Sequence, residues 1–243
     1  MAILIFLLLH WYLSLFGQTF YLHRYAAHKM FTMSPFWEKF WYLFTWITQG
    51  TSYLNARAYA ILHRMHHAYS DTELDPHTPH FFKEAFTMMM HTRKIYNGVH
   101  TGTIEVEPKF DKNFPVYPII DKIADSWITR IFFAVVYVTF YYFFATEWWM
   151  FLFLPIHFLI GPIQGAVVNW AGHKYGYRNF ESTDQSKNSG PWGLFLLGEL
   201  FQNNHHHAKN DANFAKKWFE FDLTYQVMRV FNFIGIIKLN RIH

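Results

Sequence analysis

Three long stretches of this chain carry almost no charge, and they limit its fold more than any other feature. Residues 2–22 contain no Asp, Glu, Lys or Arg. Residues 127–146 contain one charged residue, Arg130, and residues 148–170 contain none. A helix needs roughly 20 mainly apolar residues to cross a bilayer, and each stretch is about that long. The sequence therefore predicts an all-α integral membrane protein with about three transmembrane helices.

Composition agrees with a lipid environment and excludes several other classes. Charged residues make up 16% of the chain, against about 25% in ordinary soluble domains. There are no cysteines, which excludes disulfides, thiolate metal sites and a cysteine nucleophile. The first stretch lacks the basic start and the cleavage site of a signal peptide, so a membrane helix is expected. The net charge of +4 comes without a basic block, and no nucleic-acid partner is expected.

The charge distribution predicts how the chain is oriented. Residues 36–62 are aromatic-rich but interrupted by polar side chains, which favours interfacial amphipathic helices. Three crossings place the two polar regions, residues 23–126 and 171–243, on the same side of the membrane. Every Lys and Arg lies on that side, with Arg130 at its boundary, and Glu147 is the only charged side chain opposite. The positive-inside rule makes the crowded side cytoplasmic, where a helical cap is expected.

Sixteen histidines are the main anomaly, and many fall in four clusters near the ends of the predicted spans. Positions i, i+3 and i+4 share one face of a helix, so residues 63–67 can direct three imidazoles to one place. His23 and His28 are five apart and would diverge unless the helix end unwinds. Neutral imidazole suits iron, zinc, copper and nickel. Eight histidines are too many for one tetrahedral zinc and suit two metals. The four clusters are His23 with His28; His63, His66 and His67; Asn169 with His173; and Gln202, His205 and His206.

Other polar residues have two open interpretations. Asp71, Glu73 and Asp75 follow the second cluster and can orient metal-bound imidazoles, or they form a solvated acidic loop. His10 and His157 lie inside predicted spans, where packing or hydrogen bonding is the expected role.

These motifs resemble the membrane fatty acid desaturases of the acyl-CoA, delta-9-like type. The similarity lies in YLHRYAAH at 21–28, HRMHH at 63–67, DTELDPH at 71–77, NWAGH at 169–173 and GELFQNNHH at 198–206. It implies one membrane desaturase domain over residues 1–243, with a di-iron centre (Fe²⁺/Fe³⁺) in the cytoplasmic cap. The eight cluster histidines would bind iron directly and Asn169 through a water. Gln202 stands where the family has a histidine, and three roles stay open for it: it ligates weakly, holds a water, or leaves one iron a ligand short. An extra His207 follows, which either compensates or is exposed.

The resemblance also implies partners and a reaction. The reaction would be O2-dependent insertion of a cis double bond into a fatty-acyl chain, carried by CoA or phospholipid. No catalytic residue beyond the metal ligands is expected. Electrons would come from an external donor such as ferredoxin, or cytochrome b5 with its reductase. The membrane would be a bacterial inner membrane or one of endoplasmic-reticulum type.

Two alternatives remain open from the sequence. A related di-iron membrane hydroxylase or oxygenase shares the histidine chemistry and differs in product. A non-catalytic metal-binding or transport protein is disfavoured, because its ligands belong near the midplane of the spans rather than at their ends. Because ligation needs neutral imidazole, metal release is expected below about pH 6, near the ordinary histidine pKa.

Overall fold

The computed structural model describes residues 1–190 and 194–240, and helices make up most of that part of the chain. The first helix, α1 (Ala2–Phe16), continues directly as a π-helix (Gly17–Ala27). Together they form a 26-residue helix that is long and apolar enough to cross a membrane. The predicted first span, residues 2–22, therefore extends five residues further and carries His23 at its end.

The other described elements follow in chain order. Two short 3-10 turns cover Gly50–Ser52 and Trp148–Phe153. The strands β1 (Phe31–Met33) and β2 (Ile237–Leu239) form an antiparallel pair. The helices are α2 (Pro35–Gln49), α3 (Ala56–Tyr69), α4 (Ala85–Thr101), α5 (Pro118–Ala124), α6 (Trp127–Phe144), α7 (Leu154–Phe158), α8 (Ile160–Lys174), α9 (Gln202–His207) and α10 (Leu223–Phe233).

Polar side chains start several of these helices. Ser34 caps α2 ahead of Pro35, which is preorganised for a first helical turn. Asn55 accepts hydrogen bonds from two backbone N–H groups at the start of α3, and Ser126 and Asp222 cap α6 and α10. The cap at Asn55 fixes where α3 begins, and so sets the positions of the three histidines on that helix.

The second predicted span is a continuous helix, whereas the third is broken. The helix α6 (Trp127–Phe144) is long and apolar enough to cross a membrane. The sequence predicts a single span over residues 148–170, but Trp148–Phe158 and Ile160–Lys174 meet at an angle of 69°. The described residues thus hold two continuous spans, or three if this bent pair counts as one. The all-α membrane fold with about three spans is confirmed in that sense.

The break in the third span has a clear physical cause. Pro162 has no N–H, so the carbonyl oxygen of Phe158 loses its usual intrahelical partner. The hydroxyl of Thr51 donates to that oxygen at 3.0 Å, and the N–H of Gly161 donates to Ser52 Oγ at 3.1 Å. A neighbouring 3-10 turn therefore satisfies the backbone groups that the bend exposes, as an irregular helix at membrane depth requires.

The two histidines within the spans form a buried hydrogen-bonded chain. His10 Nδ1 lies 2.7 Å from His157 Nδ1. Tyr137 Oη is 3.4 Å from His10 Nε2, and Tyr141 Oη is 2.9 Å from His157 Nε2. The chain joins α1, α6 and α7, and it agrees with the hydrogen-bonding role predicted for both histidines.

An aromatic core connects the spans to the polar regions. The rings of Phe20 and Phe31 have centroids 4.8 Å apart, and Trp41 lies 4.9 Å from Phe20. Phe31 in β1 pairs with Leu239 in β2, which places the end of the described chain beside the end of the π-helix. The chain reaches this pairing through the helix α10 (Leu223–Phe233), which precedes β2. The core holds the first histidine cluster against the last helices.

Candidate metal centre

Five imidazoles from three elements converge in one group, here called the first histidine group. Its members come from the π-helix end, from α3 and from α9: His23, His28, His63, His67 and His205. Their ligand atoms all lie within 4.8 Å of one another. His205 connects the histidines of the other two elements, because its Nε2 lies 3.0 Å from His23 Nε2 and 2.9 Å from His67 Nε2.

Three further imidazoles form a second histidine group, made of His66, His173 and His206. They come from α3, α8 and α9. His66 Nε2 lies 3.2 Å from His206 Nε2, and the ring of His173 lies 5.0 Å from each of the other two. The cluster on α3 is therefore shared: two of its histidines belong to the first group and His66 belongs to the second.

Carboxylates fix the orientation of four of these rings. His23 Nδ1 lies 2.7 Å from Glu199, His66 Nδ1 lies 2.9 Å from Asp75, and His173 Nδ1 lies 3.0 Å from Asp71. His206 Nδ1 lies 2.8 Å from Asp184. A carboxylate accepts hydrogen bonds, so each Nδ1 carries the proton and each Nε2 of a neutral ring is a bare lone pair. This is the outer arrangement that orients metal-bound histidines.

The second group shows why a metal fits this arrangement. The Nε2 atoms of His66 and His206 are both bare in neutral rings, and two lone pairs cannot hydrogen-bond to each other. At 3.2 Å they need a proton or a metal ion between them. His173 Nε2 is buried and has no hydrogen-bond partner among the described residues. Buried polar atoms are usually paired, so the donor set is suited to a metal ion.

Local charge keeps the three aspartates ionised. Burial acts to raise their pKa values, but hydrogen bonds and charge from the partner histidines outweigh it. The pKa values of Asp71, Asp75 and Asp184 are consequently lowered below the usual range. Each carboxylate is therefore available as an acceptor at neutral pH.

The π-helix solves the problem posed by the five-residue spacing of His23 and His28. The N–H of His28 donates to the carbonyl oxygen of His23 at 3.2 Å, an i to i+5 bond of π-helical type. This pattern brings both imidazoles to the same group. Arg64 on α3 stabilises the end of the π-helix, because its guanidinium donates to the carbonyl oxygens of Ala27 at 2.9 Å and Ala26 at 3.0 Å.

Comparison with known proteins decides the family. The sequence model of the family described as "Fatty acid desaturase" matches residues 1–229. The chain belongs to the fatty acid desaturase family. The family implies a metal centre, and the described residues can hold metal at the two histidine groups or at a third set, His66, Asp75 and His77, which shares His66 with the second group.

Curated relatives of this family member are desaturases and an acetylenase. The sn-1 stearoyl-lipid 9-desaturase of Anabaena variabilis is 28% identical over 95% of this chain and 80% of the relative. The Delta-9 desaturase-like 4 protein of Arabidopsis thaliana is 27% identical over 90% of this chain and 69% of the relative. The Hex-5-enoyl-[acyl-carrier protein] acetylenase of Moorena producens (strain JHB) is 27% identical over 93% and 73%. The predicted resemblance to delta-9-like desaturases is confirmed.

Several predicted site residues lie at the edge of the two groups or outside them. Asn169 lies on α8 one turn before His173. Gln202 is buried, and its Nε2 donates to the carbonyl oxygen of Glu199 at 2.6 Å. His207 is exposed, its ring stacks on Phe180 with centroids 4.0 Å apart, and it belongs to neither histidine group. Glu73 is exposed.

Three residues near the groups were missed as partners by the sequence reasoning. Glu199 orients His23, from which it is 176 residues away in sequence. Asp184 orients His206, from which it is 22 residues away. His77 lies beside His66 with ring centroids 4.3 Å apart. His77 and Glu199 lie inside the motifs that carry the family resemblance. Asp184 lies in none of those motifs, so nothing in the sequence indicated its role.

The pH at which this desaturase-family protein releases metal should depend on the group. Burial lowers the pKa of His28, His63, His67 and His205 well below the usual value. In the second group, burial lowers the pKa of His206 to about 4. Burial also acts to lower the pKa of His66, but Asp75 outweighs it and the pKa of His66 is raised, so His66 is the ligand that protonates first. A lowered pKa keeps the ring neutral, and ligating, as the pH falls.

We therefore expect metal to leave in two steps on acidification, with the second histidine group first. The first group should retain its metal well below pH 6, the value that unperturbed histidines suggest. Metal captured by a chelator as a function of pH measures both steps. Complete release in one step near the ordinary histidine pKa would contradict this expectation.

Proposed function

We propose that this chain is an O2-dependent fatty-acyl desaturase that inserts a cis double bond by means of two irons bound by the two histidine groups. The observation that carries the proposal is the pair of histidine groups, with bare Nε2 atoms converging and carboxylates fixing the Nδ1 protons. Family membership supports the reaction class, since the relatives are named desaturases. Asn169 would contribute through a water, and Gln202 is assigned no direct role in ligation.

The reaction balances as a four-electron reduction of O2. Two electrons and two protons come from the C–H bonds of adjacent methylenes, and two of each come from an external donor and solvent. The products are the alkene and two waters. No side chain can remove hydrogen from an unactivated methylene, so the iron centre supplies that oxidising chemistry when it is bound.

The chain's own residues would position the centre and protect it. Glu199 and Asp75 hold the Nδ1 protons of His23 and His66, which fixes the tautomer that presents Nε2 to a metal. His205 is fully buried and His66 and His173 are nearly so, which keeps bulk water from the reacting positions. A dry site limits side reactions of O2 away from the acyl chain.

The names of the relatives indicate which acyl carriers this family uses. They specify lipid-linked, CoA-linked and carrier-protein-linked acyl groups. We infer a fatty-acyl chain on phospholipid or CoA, and a donor such as ferredoxin or cytochrome b5 with its reductase. We further infer one multi-pass membrane domain whose histidine groups face the cytoplasm, because nearly all Lys and Arg lie in the polar regions that carry them.

Lipid analysis tests the proposed reaction. The chain is expressed in a host that lacks desaturases, and acyl chains are examined by mass spectrometry with double-bond localisation. Wild-type protein should yield a new cis-monounsaturated chain. His67→Ala should yield none, because His67 Nε2 lies 3.0 Å from His63 Nε2 and 2.9 Å from His205 Nε2 within the first group.

Each other outcome has a defined meaning. A hydroxylated acyl chain in place of an alkene would replace this proposal with the related membrane hydroxylase. Iron-loaded, membrane-inserted protein that gives no new acyl product with any supplied donor would overturn the enzymatic proposal and favour a metal-binding protein.

A further inference from the structure

The two histidine groups differ in their number of imidazoles, and Gln202 does not add a ligand to the smaller group. The first group has five imidazoles and the second has three. Gln202 begins α9 beside the second group, but its amide nitrogen donates to its own turn at Glu199. Its Cγ fills the space over Gly172, where an added Cβ would come within 2.4 Å. Gln202 therefore packs α9 against α8, and the second group needs a further donor from elsewhere.

His77 is an imidazole outside both groups whose ring contacts His66 of the second group. Its ring centroid is 4.3 Å from that of His66, with an interplanar angle of 35°. His77 is buried, and its Nε2 has no hydrogen-bond partner among the described residues. His173 Nε2, in the second group, is in the same condition. Buried polar atoms are usually paired, so an unpartnered Nε2 whose ring contacts His66 indicates a missing ligand on that side.

The same carboxylate positions His66 and His77. Asp75 accepts a hydrogen bond from His66 Nδ1 at 2.9 Å and from the backbone N–H of His77 at 3.0 Å. The second contact is an Asx turn, and the fixed φ of Pro76 between the two residues favours it. Ligand atoms of His66, Asp75 and His77 lie within 4.8 Å of one another. His66 is thus a member of both this set and the second histidine group.

We propose that His77 supplies an additional imidazole to the metal of the second histidine group, joining His66, His173 and His206. This inference rests on the proposed function, since it takes the two-iron centre as given. The buried Nε2 of His77, which has no hydrogen-bond partner among the described residues, is the atom that would face the metal. A hydrogen-bonding role alone would not require an unpaired Nε2.

Iron content and Mössbauer spectra of purified protein test this role without relying on activity. Wild type is expected to bind two irons with two distinguishable spectral components. His77→Ala should retain the component of the first group and lose the other to a chelator at least about tenfold faster, the scale on which partner residues change metal affinity. His77→Gln, which keeps size and polarity, is measured in parallel to separate ligation from packing.

A matched control and a rescue make the result specific. His207→Ala removes an exposed imidazole that stacks on Phe180, and it should leave both components unchanged. Gln202→His added to His77→Ala should restore the second iron, because it places an imidazole on α9 beside His173. Two firmly held irons with unaltered spectra in either His77 variant would overturn the inference and leave the proposed function intact. Wild-type protein that binds no iron would instead refute the proposed metal centre itself.

Discussion

Replacing His205 with alanine should abolish formation of the unsaturated product. His205 Nε2 lies 3.0 Å from His23 Nε2 and 2.9 Å from His67 Nε2, so it is the donor that connects the π-helix histidines to those of α3 in the first histidine group. Loss of an outer partner of a metal ligand typically costs about 10- to 100-fold in affinity or activity, and loss of a ligand should exceed about 100-fold. Product yield per molecule of membrane-inserted protein, measured with iron content, checks this.

A control for His205→Ala lies two residues away on the same helix. His207 is exposed and stacks on Phe180, so His207→Ala should retain both iron and product. The pair removes the same atoms from α9 and differs only in which side of the helix is changed. Normal iron and product in His205→Ala would show that the first group is not where the metal binds.

The histidines on α3 were the most predictable part of the candidate site. Their i, i+3 and i+4 spacing is enough to predict that three imidazoles share one helical face. The structure shows how they divide: His63 and His67 join the first group and His66 joins the second. Spacing within a helix is a local property, and local sequence determines it well.

The π-helix was less predictable, because nothing in its composition distinguishes it from an α-helix. The spacing of His23 and His28 indicated only that the helix end had to change. The structure replaces the expected unwinding with i to i+5 hydrogen bonds over Gly17–Ala27. Bringing both imidazoles to one site required a deviation from α-helical geometry. The π-helical form of that deviation depends on how the helix packs against α3 and the aromatic core.

Long-range partners could not be predicted from one sequence. His23 and Glu199 are 176 residues apart, and Asp184 reaches His206 from an irregular segment. The bend in the third span also depends on a distant turn, in which Thr51 and Ser52 satisfy the exposed backbone groups. Hydropathy located the spans because it is a sum over one segment, whereas these contacts depend on how separate segments meet.

Replacing Arg24 with methionine should cause the largest loss of stability. Arg24 is fully buried, and its guanidinium lies 2.7 Å from Asp222, 3.2 Å from Glu199 and 3.9 Å from the ring centre of Phe214. Arg24→Met would leave two buried carboxylates without their cation. Breaking a buried ion pair in this way typically costs about 3–5 kcal/mol, a large part of the stability of an ordinary domain.

The same change should also weaken the metal centre. Burial acts to raise the pKa of Glu199, but His23 and Arg24 together outweigh it and lower that pKa. Without Arg24, the pKa of Glu199 should rise, and a protonated Glu199 would accept the Nδ1 proton of His23 only in a weaker, uncharged hydrogen bond. We therefore expect the unfolding temperature and the iron content to fall together. Thermal unfolding in detergent, with metal analysis of the same samples, measures both.

Two further variants separate the buried charge from surface effects. Arg24→Lys keeps the positive charge but lacks the planar fork that reaches Asp222 and Glu199 together, so its loss should be intermediate. Lys109→Met removes one partner of an exposed ion pair with Glu107, and it should change neither measurement. If Arg24→Met unfolds at the wild-type temperature with full iron, the buried carboxylates do not depend on this guanidinium. The link from Arg24 through Glu199 to His23 would then have to be abandoned.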